Sequence, residues 1–393
     1  MKKIIPYSRQ NITKEDINNV IKVLKSDYLT TGPLVKKFEQ NICKFVNSNY
    51  SVSVNSATSA LHIACKAIGL KPGDYLWTSS NSFVASSNCA LYCGAKVDFV
   101  DIELSNYNID IKLLEKKLIL AKKNKKLPKI IVPVIFGGHP HDLKKLYELS
   151  RKYKFKIVED ASHALGAEYF GKKIGNCKYS HITVFSLHPV KMITTGEGGI
   201  ATTNNRNYYD RMNLFKSHGI TRDKKNFSFY NKESTYYEQH ELGFNYRLTD
   251  IQCALGISQL KKISKFINSR IKIKNFYDKK LKKFPLILPK QKKNIKSSWH
   301  LYPVLINNNY TKKKKFQLLN YMRKNKIFVN THYIPIHTQP YYKNLGFKKK
   351  DFKNSVYFYE NELSLPIYPG LKKSDLKYIV KVIDNFFKNK NKR

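Results

Sequence analysis

Short apolar runs and stretches of helical spacing take turns along the first two thirds of the chain. Ser51-Val52-Ser53-Val54 predicts a strand, and Thr58 to Ile68 a helix directly after it. Lys96 to Val100, Lys129 to Val134 and Lys156 to Asp160 are further strand-sized apolar runs, while Ile111 to Leu120 and Leu143 to Tyr153 repeat at helical spacing. That rhythm predicts an α/β fold, with a mainly parallel sheet covered by helices on both faces. Ile182 to Ser186 and Gly199 to Thr202 then read as a strand pair around a glycine-containing loop.

Beyond Asp250 the pattern changes. One long helix is predicted from Thr249 to Asn275, with Ile251, Leu255, Leu260 and Ile263 at helical spacing. Trp299 to Ile306 reads as a strand, Lys315 to Asn325 as a helix, Ile327 to Tyr333 as a strand and Lys373 to Lys388 as a closing helix. These elements make a smaller α+β lobe, its boundary inside or just after the long helix. The run Lys312 to Lys315 reads as a solvated helix start, and no internal repeat is visible.

Composition adds one puzzle. The 393 residues are 42% hydrophobic, enough for a large core, and 72 basic against 28 acidic residues give a formal charge of +44. Such a charge invites a nucleic-acid-binding reading, which predicts steeply salt-dependent affinity. Only nine of the basic residues are Arg, however, and 63 are Lys. Phosphate readers lean on the planar fork of Arg, whereas a lysine excess among many Asn, Ile, Tyr and Phe follows from AT-rich codons. The resulting field still favours anionic small molecules. Six cysteines (Cys43, Cys65, Cys89, Cys93, Cys177 and Cys253) form no CxxC pair, so reduced thiols and no metal site are expected. The start, Met1 to Pro6, turns polar too early for a signal peptide, and no apolar run approaches the ~20 residues of a membrane span. A cytoplasmic protein is the expectation.

Three segments carry candidate chemistry. Asn55-Ser56-Ala57-Thr58-Ser59-Ala60 stands where a strand hands over to a helix; free backbone N–H groups and the helix dipole suit a phosphate there, although an ordinary N-cap has the same residues. Asp160, in Glu159-Asp160-Ala161-Ser162-His163, ends a buried strand at the carboxyl edge of the sheet, where ligands of open α/β sheets bind. A carboxylate there needs a cation, such as a protonated pyridine nitrogen, or its pKa rises. Lys191 lies between apolar strands, just before Gly196, Gly198 and Gly199, and a lysine beside a bound aldehyde forms a Schiff base and shuttles protons. Ser186, five residues earlier, is placed to reach the same phosphate.

Taken in order, Asn55 to Ala60, Glu159-Asp160-Ala161-Ser162-His163-Ala164-Leu165-Gly166 and Phe185-Ser186-Leu187-His188-Pro189-Val190-Lys191-Met192-Ile193-Thr194-Thr195-Gly196-Glu197-Gly198-Gly199 resemble the DegT/DnrJ/EryC1/StrS family of sugar-nucleotide aminotransferases. The likeness extends to Leu29 to Pro33, Ser217 to Ile220 and Gly243 to Gln252. It leans toward the pseudaminic-acid branch through His163, His188-Pro189-Val190, Ser298 to Pro303 and Thr331 to Pro335. The resemblance implies the aspartate-aminotransferase type I fold: an N-terminal segment (1–30) lining the site, a large pyridoxal-phosphate-binding domain (31–255) and a small C-terminal domain (256–393). It implies that Lys191 bonds the cofactor aldehyde, that Asp160 partners the ring nitrogen, and that Thr58, Ser59 and Ser186 hold the phosphate. Phe83 would stack on the ring, and His163 would touch its phenolic oxygen. Asn245 would reach the cofactor phosphate of a neighbouring subunit, making a homodimer necessary. Tyr7, Asp27, Tyr28, Leu29, Thr30, Ala57, Ser186, Asn245, Arg247, His332 and Tyr333 would line the sugar-nucleotide site. The implied substrates are L-glutamate and a UDP-linked 4-keto-6-deoxy-N-acetylhexosamine, with other UDP- or dTDP-linked keto sugars as alternatives.

Overall fold

A computed structural model describes residues 4–229, 233–309, 311 and 314–388. Its centre is a seven-stranded sheet of β1 (Tyr50–Val54), β2 (Tyr75–Ser79), β3 (Lys96–Val100), β4 (Ile130–Val132), β5 (Lys156–Asp160), β6 (Ile182–Ser186) and β7 (Gly199–Thr203), in the order β1-β7-β6-β5-β4-β2-β3. β3, β2, β4, β5 and β6 run parallel, and β7 is antiparallel to both β6 and β1. Fully buried valines and isoleucines fill the middle strands because helices cover both faces. One of these helices, Ala57–Ile68, begins at an Ser56 cap that accepts from the Ser59 N–H and ends at Gly69 with φ +88°. Ala60, Leu61, Ile63, Ala64 and Cys65 are all buried, so this helix is apolar nearly all round, as one packed between layers must be.

The carboxyl ends of β1, β5 and β6 and the start of β7 share one edge of this sheet. Gly199 opens β7, and a Cβ there would stand 2.4 Å from the Ser56 carbonyl and 2.5 Å from the Ala57 nitrogen. The missing side chain brings the N-terminus of the Ala57–Ile68 helix against the strand pair.

A second sheet, β8 (Leu286–Ile287), β9 (Tyr302–Ile306) and β10 (Glu362–Leu365), joins the helices Lys315–Lys324 and Lys373–Lys388 around a separate core. Ile5 belongs to that core and pairs with Ile327, so the N-terminal segment crosses to the second lobe. Along the helix Ile263–Leu281, Ile267 packs into a core of the first lobe and Ile273 into that of the second.

Several boundaries differ from the sequence pattern. The predicted long helix from Thr249 is two helices, Asp250–Leu260 and Ile263–Leu281. Lys262, at the break, places Nζ 2.5 Å from Asp16 of the first helix, Lys14–Leu24, and 2.8 Å from Thr13 Oγ1. The predicted strand at Trp299 starts only at Tyr302, because Ser297 and Ser298 turn aside to bond the carbonyls of Gly138 (2.9 Å) and His163 (2.6 Å). Ile327 to Tyr333 makes single bridges to Ile5 and Ser364 instead of a strand. Of the lysine run, Lys312 and Lys313 lie outside the described residues. All six cysteines are free, and among the described residues no helix is long and apolar enough to cross a membrane.

Candidate active site

The shared sheet edge opens into a cavity of about 570 Å³, walled by both lobes and the N-terminal segment. The β6–β7 connection forms its floor. Leu187 N–H donates to Gly198 O, and Thr195 N–H and Thr194 Oγ1 both donate to Leu187 O, folding the connection back on itself. Lys191 sits in that turn, and Ser8 Oγ donates to the carbonyl of the preceding Val190 at 3.2 Å. Asp160 ends β5 and is 5% exposed. Ser86 Oγ donates to its Oδ2 at 2.6 Å and Ser162 N–H to its Oδ1 at 3.1 Å, which fixes the carboxylate plane.

Burial pushes the Lys191 amine down to about 8, with the Asp160 charge pulling the other way. Burial also holds His163 and His300 well below the usual imidazole range and takes His332 down to about 3; the Lys191 charge adds to each. The Lys191 amine thus sits in a wall of neutral imidazoles. His163 has a defined tautomer. Gly137 N–H donates to its Nδ1 at 3.2 Å, so the neutral ring carries its hydrogen on Nε2, 3.1 Å from Tyr333 Oη.

Of the residues singled out from sequence, Lys191, Asp160, His163, Ser186, Ala57, Thr58, Phe83, Tyr7, His332 and Tyr333 all line this one cavity. Ser59 does not; its hydroxyl is taken by Asn55 Oδ1 at 2.6 Å, inside the helix cap. Asp27 and Tyr28 line a different groove, and Leu29 and Thr30 pair with Asp250 and Thr249. Asn245 is exposed beside Ser217, and Arg247 donates to Ser217 Oγ at 3.1 Å, so neither reaches the cavity of its own chain. Sequence reasoning missed His300, Asn330 and Glu197 as lining residues. His300 lies in a quoted motif, but nothing local marks that its ring packs, tilted by 37°, 4.4 Å from that of His163 with Nδ1 unpartnered.

These residues fit pyridoxal phosphate. Helix N–H groups with the Thr58 and Ser186 hydroxyls suit the phosphate, Asp160 a protonated ring nitrogen, the Phe83 face (59% exposed, toward the cavity) an aromatic ring, and Lys191 an aldehyde.

Comparison with known proteins places the chain in its class: residues 10–384 match the DegT/DnrJ/EryC1/StrS aminotransferase family, and the chain belongs to it. It is a pyridoxal-phosphate-dependent sugar-nucleotide aminotransferase with the α/β fold of that family. Among particular relatives, the UDP-4-amino-4,6-dideoxy-N-acetyl-β-L-altrosamine transaminase of Campylobacter jejuni (strain 81-176) is 39% identical over 379 residues, 96% of each chain. Helicobacter pylori PseC, an aminotransferase involved in pseudaminic acid biosynthesis, superposes with a TM-score of 0.89 at 33% identity, over 98% of this chain and 99% of that one. The putative sugar aminotransferase Spr1654 of Streptococcus pneumoniae, solved in its PLP form, gives 0.87 at 27% identity over 98% of both.

Proposed function

We propose that the protein transfers the amino group of L-glutamate to C4 of a UDP-linked 4-keto-6-deoxy-N-acetylhexosamine, UDP-2-acetamido-2,6-dideoxy-β-L-arabino-hex-4-ulose, as a step of pseudaminic acid biosynthesis. The convergence of Lys191 and Asp160 on one cavity, in a chain 39% identical to a transaminase named for that amino sugar, carries the reading.

Pyridoxal phosphate supplies an aldehyde that takes up amines and a ring that accepts electrons. Asp160, held by Ser86 and Ser162, keeps the proton on the ring nitrogen. Lys191, with its amine brought down to about 8, takes the α-proton of glutamate as a free base and returns a proton at C4 of the sugar in the second half-reaction. The N-terminus of the Ala57–Ile68 helix, with Thr58 and Ser186, anchors the phosphate. Tyr7, His332 and Tyr333 line the sugar's side of the cavity. Exposed Asn245 and half-buried Arg247 both stand away from their own cavity and serve a second copy's site, so the active unit is a homodimer.

Incubation with glutamate and either UDP- or dTDP-linked 4-keto sugars, followed by NMR of the product's ring couplings, tests the assignment. The UDP-linked N-acetylhexosamine should gain nitrogen at C4 as 2-oxoglutarate accumulates. Turnover of dTDP sugars alone would refute it.

A further inference from the structure

Behind the cavity wall stands a carboxyl group that the reaction above does not use. Glu362 opens β10, is fully buried and does not line the cavity. Its Oε2 accepts from the His332 backbone N–H at 3.0 Å, and its Oε1 lies 2.6 Å from Ser364 Oγ. Ser364 Oγ in turn lies 2.8 Å from His332 Nδ1. A serine hydroxyl has one hydrogen, so this chain has two self-consistent proton arrangements. With Glu362 ionised, Ser364 donates to it and accepts from Nδ1–H, leaving His332 Nε2 as a bare lone pair. With Glu362 neutral, its O–H donates to Ser364, Ser364 donates to Nδ1, and Nε2 carries the hydrogen. His332 lines the cavity while its Nδ1 edge is turned to Ser364, so Nε2 is the nitrogen left for a ligand.

We propose that Glu362 is a positioning residue for transamination: through Ser364 it keeps the proton of His332 on Nε2, so that the wall offers a hydrogen-bond donor to a substrate oxygen. That oxygen is a glutamate carboxylate oxygen or the sugar's keto oxygen. The inference rests on the cavity being the substrate site.

Burial favours the required state, pushing Glu362 up to about 8, so the carboxyl keeps its proton at neutral pH. Lys315, on the helix Lys315–Lys324, opposes this, but its Nζ donates to the Tyr359 carbonyl. The phenols of Tyr107 and Tyr333 also face Glu362 and stay neutral, since burial and its charge raise both.

Ring-nitrogen NMR of the holoenzyme labelled with [15N]histidine reads the tautomer without any sugar substrate. His332 should carry Nε2–H at pH 7 and change to Nδ1–H with a midpoint near 8. In Glu362→Gln the amide donates to Ser364 at every pH, so the change should vanish, activity at pH 7 should stay within about twofold, and any alkaline loss of kcat/KM tied to it should go. Ser364→Ala should raise one KM about tenfold, the cost of roughly one hydrogen bond; the KM that moves, glutamate's or the sugar's, names the oxygen. A His332 tautomer that ignores pH, the same change surviving in Glu362→Gln, or unaltered KM values in Ser364→Ala would overturn the proposal. Because the spectra need no substrate, a wrong sugar assignment would leave them intact.

Discussion

Lys191 is one of 63 lysines, and its chemistry is separable from the other 62 by pH. An ordinary lysine near 10.5 is about 0.1% neutral at pH 7.5; at about 8, Lys191 is roughly a quarter neutral, a gain of over two hundredfold in reactive amine. Reductive methylation of cofactor-stripped enzyme with formaldehyde, quantified peptide by peptide by mass spectrometry, measures this with the remaining lysines as internal controls. The Lys191 rate should level off above pH 8 while bulk lysines keep accelerating toward pH 10. Asp160→Asn removes the charge that pulls the Lys191 pKa upward, so the midpoint should fall further. Ser86→Ala keeps that charge and loses one hydrogen bond to it, so it should move the midpoint less. A Lys191 rate still climbing past pH 9, or a midpoint raised by Asp160→Asn, would refute the electrostatic account of the site.

Lys191→Ala should abolish both the visible colour and turnover, with an unchanged circular dichroism spectrum. Phe83→Ala should weaken cofactor binding about tenfold in a titration, the worth of one stacked ring. Arg270 is buried with its guanidinium on the carbonyls of Trp299, His300 and Ile367, so Arg270→Met should cost ~1–3 kcal/mol by denaturant unfolding through the acceptors it strands. Lys191→Ala and Asn245→Ala, each inactive alone, should recover up to about a quarter of wild-type activity when co-refolded, since half the dimers are mixed and one site in each is whole; no recovery would place Asn245 in its own chain's site.

How much of this was legible in the sequence depended on how local the cause was. The helix Leu143–Tyr153 agrees residue for residue with its apolar spacing, because that spacing is the packing face itself. The break at Lys261 and Lys262 was invisible: Leu260 and Ile263 stay in helical phase, and the residue that pins the turn is Asp16, 246 positions away. Ile327 to Tyr333 has a strand's alternation yet spends its backbone on isolated bridges and the cavity wall. At the site, Lys191, Asp160 and His163 announced themselves through glycines, a strand end and a motif. His300, Asn330 and the Glu362–Ser364 pair did not, since nothing near them in the chain says which cavity they adjoin.

The crossing of Ile5 to Ile327 has a consequence for biosynthesis. Translation delivers Ile5 long before Ile327, so the segment around it waits, undocked, until its partner in the second lobe has been made. The cavity therefore closes only once the second lobe, which brings His300, His332 and Tyr333 to its wall, has been made.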